Sequence, residues 1–330
     1  MSQHKGKIIT GLLLVFVIFY AISVYWSVEP SRVNVINQAK QDAQIRGEKF
    51  VTGYTTTSAL INVATTLLNK PGGYLSNDMM PPSVLMDNMP AWEYGALEMT
   101  RDLALSMRKD FSRSQSQSQS TEHEALKKAQ PQFNISSEAW AWPSAESEYQ
   151  KGIDYLIVYR TQIADQNDRE SQFYARADNL RGWLKEAEKR LGSLSQRLSA
   201  SVGQERLNTG LAGDKEAHQA TYAPLQNQVK TSWWEIDDVF YESRGATWAL
   251  LHFLQAVEYD FADVLEKKNA RVSLQQIIRE LEATQETVWS PIILNGNGFG
   301  FVANHSLVMA NYISRANAAL IELSELLAQG

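Results

Sequence analysis

Apolar residues recur along much of this chain at the spacing of an α-helix. The clearest run steps alternately by four and three residues from Phe173 to Leu198, which is the a/d pattern of a coiled-coil seam. A second seam of this kind runs from Met309 to Leu327. Because a seam needs a partner, we expect the helix with the 173–198 seam to pack antiparallel within the chain, against the 230–265 segment or the closing helix. A homodimeric coiled coil is the alternative.

Shorter stripes with helical periodicity accompany the two seams. They run through residues 60–68, 92–107, 149–163 and 274–281. Period-2 alternation with turn-spaced partner strands is lacking. The pattern therefore predicts an all-α protein, a multi-helix bundle with coiled-coil-like seams.

The segment from Lys230 to Leu265 is apolar on more than one side, as expected for the inner helix of a bundle. One stripe is predicted to lie in the core, and a strip of small residues beside it would let a neighbouring helix approach closely. The stripe consists of Trp233, Ile236, Phe240, Leu250, Leu254, Val257 and Phe261, and the strip of Gly245, Ala249 and Ala256.

Residues 8–27 form an uninterrupted apolar run without a charge, long enough to cross a bilayer as a helix. The run exceeds a typical signal h-region and lacks a small-residue cleavage site, so an anchor is favoured over a cleaved signal. Lys5 and Lys7 lie in the seven-residue stub before it, which indicates a cytoplasmic N-terminus. We therefore expect a single-pass protein of the bacterial inner membrane: stub 1–7, transmembrane anchor 8–27 and periplasmic helical domain 28–330.

Three segments of the predicted domain break the helical pattern, and one of them, at about 202–228, connects the heptad helix with the 230–265 segment. The first, 70–90, is rich in proline and glycine but carries enough apolar residues to be an ordered loop. The second, a Ser/Gln-rich segment at about 112–122, is expected to be mobile because it has almost nothing to bury. The candidate interaction residues lie in the first loop: Tyr74, Leu75, Asn77, Asp78, Met79 and Met80.

The composition of the chain limits the partners, nucleophiles and metal sites that this protein can use. The net charge of −6 argues against a nucleic-acid partner, and the absence of cysteine excludes a disulfide framework and a thiolate nucleophile. The five histidines do not share a metal-ligand spacing. We therefore expect neither a metal nor another cofactor.

Four polar residues are weak catalytic candidates. Glu235 and Asp238 lie one helical turn apart among aromatic residues, and Glu93 and His252 are further candidates. Carboxylates beside aromatic rings are typical of glycan-cleaving or glycan-binding grooves. Acids on a polar helix face and a hydrogen-bonded core histidine are the commoner explanation.

The sequence NGNGFGF at 295–301 precedes the closing helix. Glycine-rich backbone before a helix can bind an anion, but the residues of a P-loop are missing. We therefore predict a tight turn that Phe299 and Phe301 hold against the core.

Three segments resemble an uncharacterised family of proteobacterial proteins anchored in the inner membrane, known as a domain of unknown function. They are the anchor, PGGYLSNDMMPPSVLMDNMPAWEYG at 71–95 and SWWEIDDVFYESRGATWALLHFL at 232–254. The resemblance implies a location and a lineage, and no catalytic residue.

Two hypotheses of function follow. The first is a scaffold or interaction protein of the cell envelope that docks a protein partner through a bundle face or the 70–90 loop. The second is a peptidoglycan-directed hydrolase or glycan-binding module that uses Glu93, Glu235 and Asp238. The membrane is a partner in both, and a homo-oligomer stays open.

A topology reporter tests the predicted orientation. A periplasm-dependent reporter fused after Gly330 should be active, because Lys5 and Lys7 hold the N-terminal stub in the cytoplasm. Activity of a cytoplasm-dependent reporter at the same position would contradict both the orientation and the localisation.

Overall fold

The computed structural model describes residues 2–113, 122–165, 167–168, 171–207 and 226–329. The predicted all-α class is confirmed. The α-helices of the described part are α1 (Ser2–Trp26), α2 (Val35–Arg46), α3 (Tyr54–Asn69), α4 (Asn88–Ser106), α5 (Glu124–Phe133), α6 (Ala145–Ala164), α7 (Ala177–Ser199), α8 (Ile236–Asp260), α9 (Ala262–Lys267), α10 (Arg271–Ala283) and α11 (His305–Ala328).

The first helix stands apart from the others. Within α1, Gly6–Trp26 has a mean hydropathy of 2.5 and is not buried against the rest of the chain. Only its last turns approach the body, where Trp26 packs against the core. By length and composition α1 is a candidate membrane-spanning helix.

The packed helices run in two directions. The ring of Trp92, near the start of α4, lies 5.1 Å from that of Trp248 in α8, and the ring of Phe111, just after α4, lies 5.3 Å from that of Phe261, just after α8. The sequence offset is 156 residues in the first contact and 150 in the second, so α4 and α8 are parallel.

The neighbours of this pair run the opposite way. Helix α7 is antiparallel to both members of the pair. Arg190 pairs with Asp102 in the second half of α4, whereas Arg197, later in α7, pairs with Glu242 in the first half of α8. Other antiparallel pairs are α3 with α6, α5 with α6, and α10 with α11. Consequently α4, α6, α8 and α11 begin at one end of the bundle, where α3, α5, α7 and α10 finish. We call this the anchor end, because Trp26, the last residue of the candidate membrane-spanning helix α1, packs there beside Gly72.

The long seam packs within the chain, as predicted. Ser195 of α7 contacts Ser314 of α11, and Gly192 lies beside Asn317, so the two helices are antiparallel. Leu184 and Leu191 are fully buried in this arrangement. The helix begins at Ala177, so the seam residue Phe173 precedes it; Phe173 packs instead on Phe111 and Phe261 outside the helix.

The predicted inner helix is shorter than its apolar pattern. Phe240 and Leu254 are buried as expected, but α8 begins at Ile236 and ends at Asp260. Trp233 lies in a 3₁₀ turn before the helix and is 67% exposed, so its assignment to the core was wrong. The physical reason is that a helical stripe buries a residue only where the helix packs, and Trp233 lies beyond the packed part.

The α4–α8 contact depends on two glycines. A Cβ atom at Gly245 would lie 1.9 Å from the carbonyl oxygen of Trp92, and one at Gly95 would lie 2.0 Å from that of Glu242. Both distances are far inside van der Waals contact with rigid backbone. The small strip predicted from Gly245 therefore does allow the close approach of a neighbouring helix.

Some described elements have no counterpart in the predicted stripes. They are α2, α5 and a short antiparallel pair of strands, β1 (Gln204–Leu207) and β2 (Gln226–Val229), in which Gln204 is opposite Val229. The 70–90 loop is an ordered connection with a 3₁₀ turn at Ser83–Leu85, and α4 already begins at Asn88. Most of the Ser/Gln-rich segment predicted to be mobile, 114–121, lies outside the described residues.

Replacing Gly245 by alanine should destabilise the protein. The added methyl group must push α4 and α8 apart, and we expect a loss of about 3 kcal/mol or more in the free energy of unfolding. Gly182→Ala is the matched control, since Gly182 is exposed on α7 with no atom within 4 Å of an added Cβ. It should gain roughly 0.5–1 kcal/mol through helix propensity. Urea unfolding of the purified full chain, followed by circular dichroism, measures both; equal midpoints for the two variants would contradict the close-contact interpretation.

Candidate functional site

The candidate acid Glu93 lies inside the protein. Its carboxylate is fully buried and lies 2.6 Å from the buried ammonium of Lys70. It also accepts hydrogen bonds from the backbone N–H groups of Leu75 and Ser76 and from the Ser76 hydroxyl. Burial raises the pKa of the Glu93 carboxyl, against the lowering effect of Lys70 and these donors. This carboxylate holds the 70–90 loop against α4.

The loop that Glu93 holds divides the predicted interaction residues into two groups. Tyr74, Leu75 and Asn77 are buried, and the Asn77 amide donates to Glu146 and to the Ala139 carbonyl. Asp78 is half-buried. Met79 and Met80 are exposed at the anchor end. In this structure, therefore, the two methionines are the most exposed members of the set.

His252 is buried in α8 with both ring nitrogens engaged. Nδ1 lies 2.7 Å from the Trp248 carbonyl oxygen, and Nε2 accepts the backbone N–H of Val33 at 3.2 Å. This pattern assigns the proton to Nδ1 and leaves the ring neutral. Burial lowers the pKa of His252, which is consistent with a neutral core histidine.

Glu235 and Asp238 line a cavity of about 510 Å³ between α4, α7 and α8. Tyr94, Arg197 and Glu242 contribute to the same wall. Glu235 directly precedes α8 and Asp238 lies in its first turn. Both acids face this cavity because the start of α8 packs beside the start of α4. Acidic side chains in a first turn also complement the helix dipole.

The arginines next to the cavity are already paired. The Arg197 guanidinium donates two hydrogen bonds to the Glu242 carboxylate. In an adjoining cavity of about 420 Å³, Arg190 pairs with Glu98 and with Asp102. Such ion pairs present a polar surface of both signs along α4, α7 and α8.

Asp238 differs from these paired acids. Burial, followed by repulsion from Asp87, Asp237 and other nearby carboxylates, raises its pKa to about 6. Its Oδ1 atom is buried and has no hydrogen-bond partner among the described residues. Asp87 precedes α4, so the parallel packing of α4 and α8 causes this accumulation of negative charge.

The aromatic residues expected beside the acids do not form a groove with them. Trp233 and Trp234 are exposed and pack against each other with ring centroids 4.9 Å apart. The turn at 295–301 forms as predicted and is closed by a bridge between Asn295 and Asn304. Phe299 and Phe301, however, are fully exposed, so the expectation that they hold this turn against the core was wrong. The turn is held instead by the Asn304 amide, which donates to Gly296 and Asn295.

The structure brings together one polar cluster that the sequence does not indicate. His123 Nε2 lies 2.7 Å from Ser171 Oγ, which lies 2.7 Å from Asp168. His123 Nδ1 accepts the N–H of Ala125 as the N-cap of α5, so the proton is on Nε2, the nitrogen that faces the serine. A general base needs that nitrogen free, so this arrangement caps a helix and does not activate Ser171. The sequence separation of 48 residues left no local signal.

A pH series on Asp238→Asn tests the electrostatics of the cavity. Because the pKa of Asp238 is raised from 3.8 to about 6 in the folded state, its contribution to stability is present below pH 4 and is lost as the pH rises through 6. The asparagine variant should therefore be more stable than the wild type at pH 7.5. Water screens this half-buried group, so we expect about 1 kcal/mol, or roughly 2 °C in Tm. The difference should vanish below pH 4.

Glu322→Gln, at an exposed position of α11, is the matched control and should leave Tm unchanged across the same series. A lower Tm for Asp238→Asn at pH 7.5 would show that the carboxylate is stabilising and would contradict the assigned repulsion.

Comparison with known proteins assigns the lineage. No curated protein and no solved structure matches this chain. A family model described as "Uncharacterized protein conserved in bacteria (DUF2333)" matches residues 2–330. The match covers the apolar helix and the helical body together, so the chain belongs to the DUF2333 family of bacterial proteins.

Proposed function

We propose that this protein is a single-pass protein of the bacterial inner membrane whose helical body lies in the periplasm and acts as a scaffold or interaction protein of the cell envelope. The apolar helix α1 supports the anchoring, and Lys5 and Lys7 before it support a cytoplasmic N-terminus. The membership of a bacterial family is consistent with this location.

The scaffold role is supported by one observation: the candidate catalytic side chains Glu93 and His252 are bonded to other residues of the fold. Glu93 is bonded to Lys70 and to the 70–90 loop, and His252 is bonded to Trp248 and Val33. Neither side chain lines the cavity that contains Glu235 and Asp238. A general acid and its partner must reach one substrate, and these four residues do not share one site.

The face of the bundle that contains the Glu235–Asp238 cavity supports docking of a protein partner. The wall formed by α4, α7 and α8 is lined by ion pairs such as Arg197–Glu242 and Arg190–Glu98. Paired charges of both signs favour specificity for a polar partner surface over non-specific binding to a polyanion. We therefore assign docking of an envelope protein to this face of the bundle.

A second candidate function is a peptidoglycan-directed hydrolase or glycan-binding module. It is favoured by one specific observation, the raised pKa of Asp238 in a cavity that also contains Glu235 and Tyr94. A carboxyl group that titrates near neutral pH is suited to general acid catalysis.

Amide variants separate the two functions. Glu235→Gln and Asp238→Asn preserve shape and remove charge, so on the scaffold proposal the full chain should keep its abundance and the same cross-linked envelope partners in cells. The purified wild type should release no soluble fragments from peptidoglycan sacculi. Glu322→Gln is the control for loss of a surface acid elsewhere. Fragment release that is present in the wild type and abolished in either amide variant, at equal abundance, would replace the scaffold proposal by the hydrolase.

A further inference from the structure

The exposed tryptophan and phenylalanine side chains of the body lie at one end of it. Among the described residues outside α1, the exposed tryptophans and phenylalanines all belong to three connecting segments. They are Trp140 and Trp142 before α6, Trp233 and Trp234 before α8, and Trp289, Phe299 and Phe301 before α11. Because α6, α8 and α11 are parallel and begin at the anchor end, all three segments lie at that end.

A fourth segment at the same end adds aliphatic side chains. It follows α3 and precedes α4, and it exposes Met79, Met80, Val84 and Leu85. Isolated exposed apolar residues are ordinary on a protein surface, but large ones concentrated on one face mark a contact surface. At the opposite end the exposed large apolar side chains include Ile45, Tyr259 and Val272. Among the described residues, no exposed tryptophan or phenylalanine lies at that end.

The candidate anchor leaves the body at this aromatic end. Trp26, the last residue of α1, lies against Gly72, where a Cβ atom would be 2.7 Å from the indole ring. Glu29 then forms a bidentate ion pair with Arg244, at 2.6 and 2.7 Å. Arg244 also donates to the carbonyl oxygens of Thr284 and Glu286, at the start of the segment that contains Trp289.

After Glu29 the chain continues away from the anchor end. Val33 bonds to His252 in the middle of α8, and Lys40 lies over the ring of Tyr259 near the end of that helix. The contacts of residues 26–40 therefore fix which end of the body is next to α1. A bilayer that contains α1 must lie close to the four exposed segments.

We propose that the anchor end of the body lies in the interfacial layer of the bilayer, with the exposed tryptophan, phenylalanine and methionine side chains of the four segments among the lipid headgroups. This inference rests on the membrane anchoring in the proposed function. Tryptophan suits this layer because it has a large apolar ring and a polar N–H group, and it is enriched at membrane interfaces for that reason.

Apolar contact carries this association, and positive charge does not. Within residues 70–87, 134–144, 226–235 and 284–304 of the four segments, the basic side chains are the buried Lys70 and the exposed Lys230, whereas the acidic ones are Asp78, Asp87, Glu138, Glu235 and Glu286. A polybasic segment would be needed for attraction to anionic lipids. The depth of the segments should therefore depend neither on anionic lipid nor on salt.

Single nitroxide labels on the full chain test the proposal, since the natural sequence has no cysteine to remove. The test positions are Trp142→Cys, Trp289→Cys and Phe301→Cys, and the controls at the opposite end are Ile45→Cys and Val272→Cys, which are similarly exposed. Val17→Cys, in the middle of α1, reports whether the anchor spans the bilayer. Each variant is reconstituted into phosphatidylcholine vesicles, and the accessibility of the label to oxygen and to a water-soluble nickel chelate is measured.

We expect the ratio of oxygen to nickel accessibility to be high at Val17 and at the three test positions, and inverted at Ile45 and Val272. Addition of phosphatidylglycerol or of 0.5 M salt (roughly a 4 Å Debye length) should not change it. Water-like values at the test positions with a buried Val17 label overturn this inference and leave the anchoring intact. Water-like values at Val17 overturn the anchoring itself. Exclusion of both reagents at the test positions indicates contact with a second copy and also overturns the inference.

Discussion

The close contact of α4 with α8 sets the arrangement of the whole body. Gly95 and Gly245 allow the two backbones to approach until a methyl group would overlap a carbonyl oxygen. This contact sets Gly95 opposite Glu242 and Gly245 opposite Trp92, and it brings the start of α4 beside the start of α8. The other helices then pack on this pair in alternating directions, which gathers the connecting segments at two ends.

The same register creates the electrostatic feature of the cavity. Asp87 precedes α4, and Asp237 and Asp238 lie in the first turn of α8, so parallel packing brings the three carboxyl groups together. Their repulsion and partial burial raise the pKa of Asp238. Elsewhere on this face, acids alternate with arginines and the charges are paired. The raised pKa of Asp238 is therefore a consequence of the parallel direction of α4 and α8. The same raised pKa is the observation that favours a glycan-directed function as the second candidate.

Buried polar contacts connect the chain that follows α1, and the 70–90 loop, with the helices of the body. The Glu29–Arg244 ion pair, the Val33–His252 hydrogen bond and the Lys70–Glu93 ion pair each join segments that lack regular structure to a helix of the core. Removing one member of such a pair leaves a buried polar group without a partner, which costs more than the pair itself contributes. These contacts give Glu93 and His252, which are weak catalytic candidates in the sequence, bonding partners within the fold, and they hold the aromatic end of the body beside α1.

The sequence alone determined the properties that depend on local periodicity and length. The seams at 173–198 and 309–327, the apolar run at 8–27 and the all-α class follow from the spacing of apolar residues, because an α-helix repeats every 3.6 residues. A helix as short as α5, with ten residues and Pro131 inside it, escaped this reasoning, although its buried face does repeat at helical spacing. Tertiary structure decided what periodicity does not contain. It placed Trp233 outside the packed part of α8, exposed Phe299 and Phe301, and paired His252 with Val33, 219 residues away. An apolar or ionisable residue has the same local signal whether its partner is the core, a distant backbone group, water or lipid, and only the packing of the helices distinguishes these.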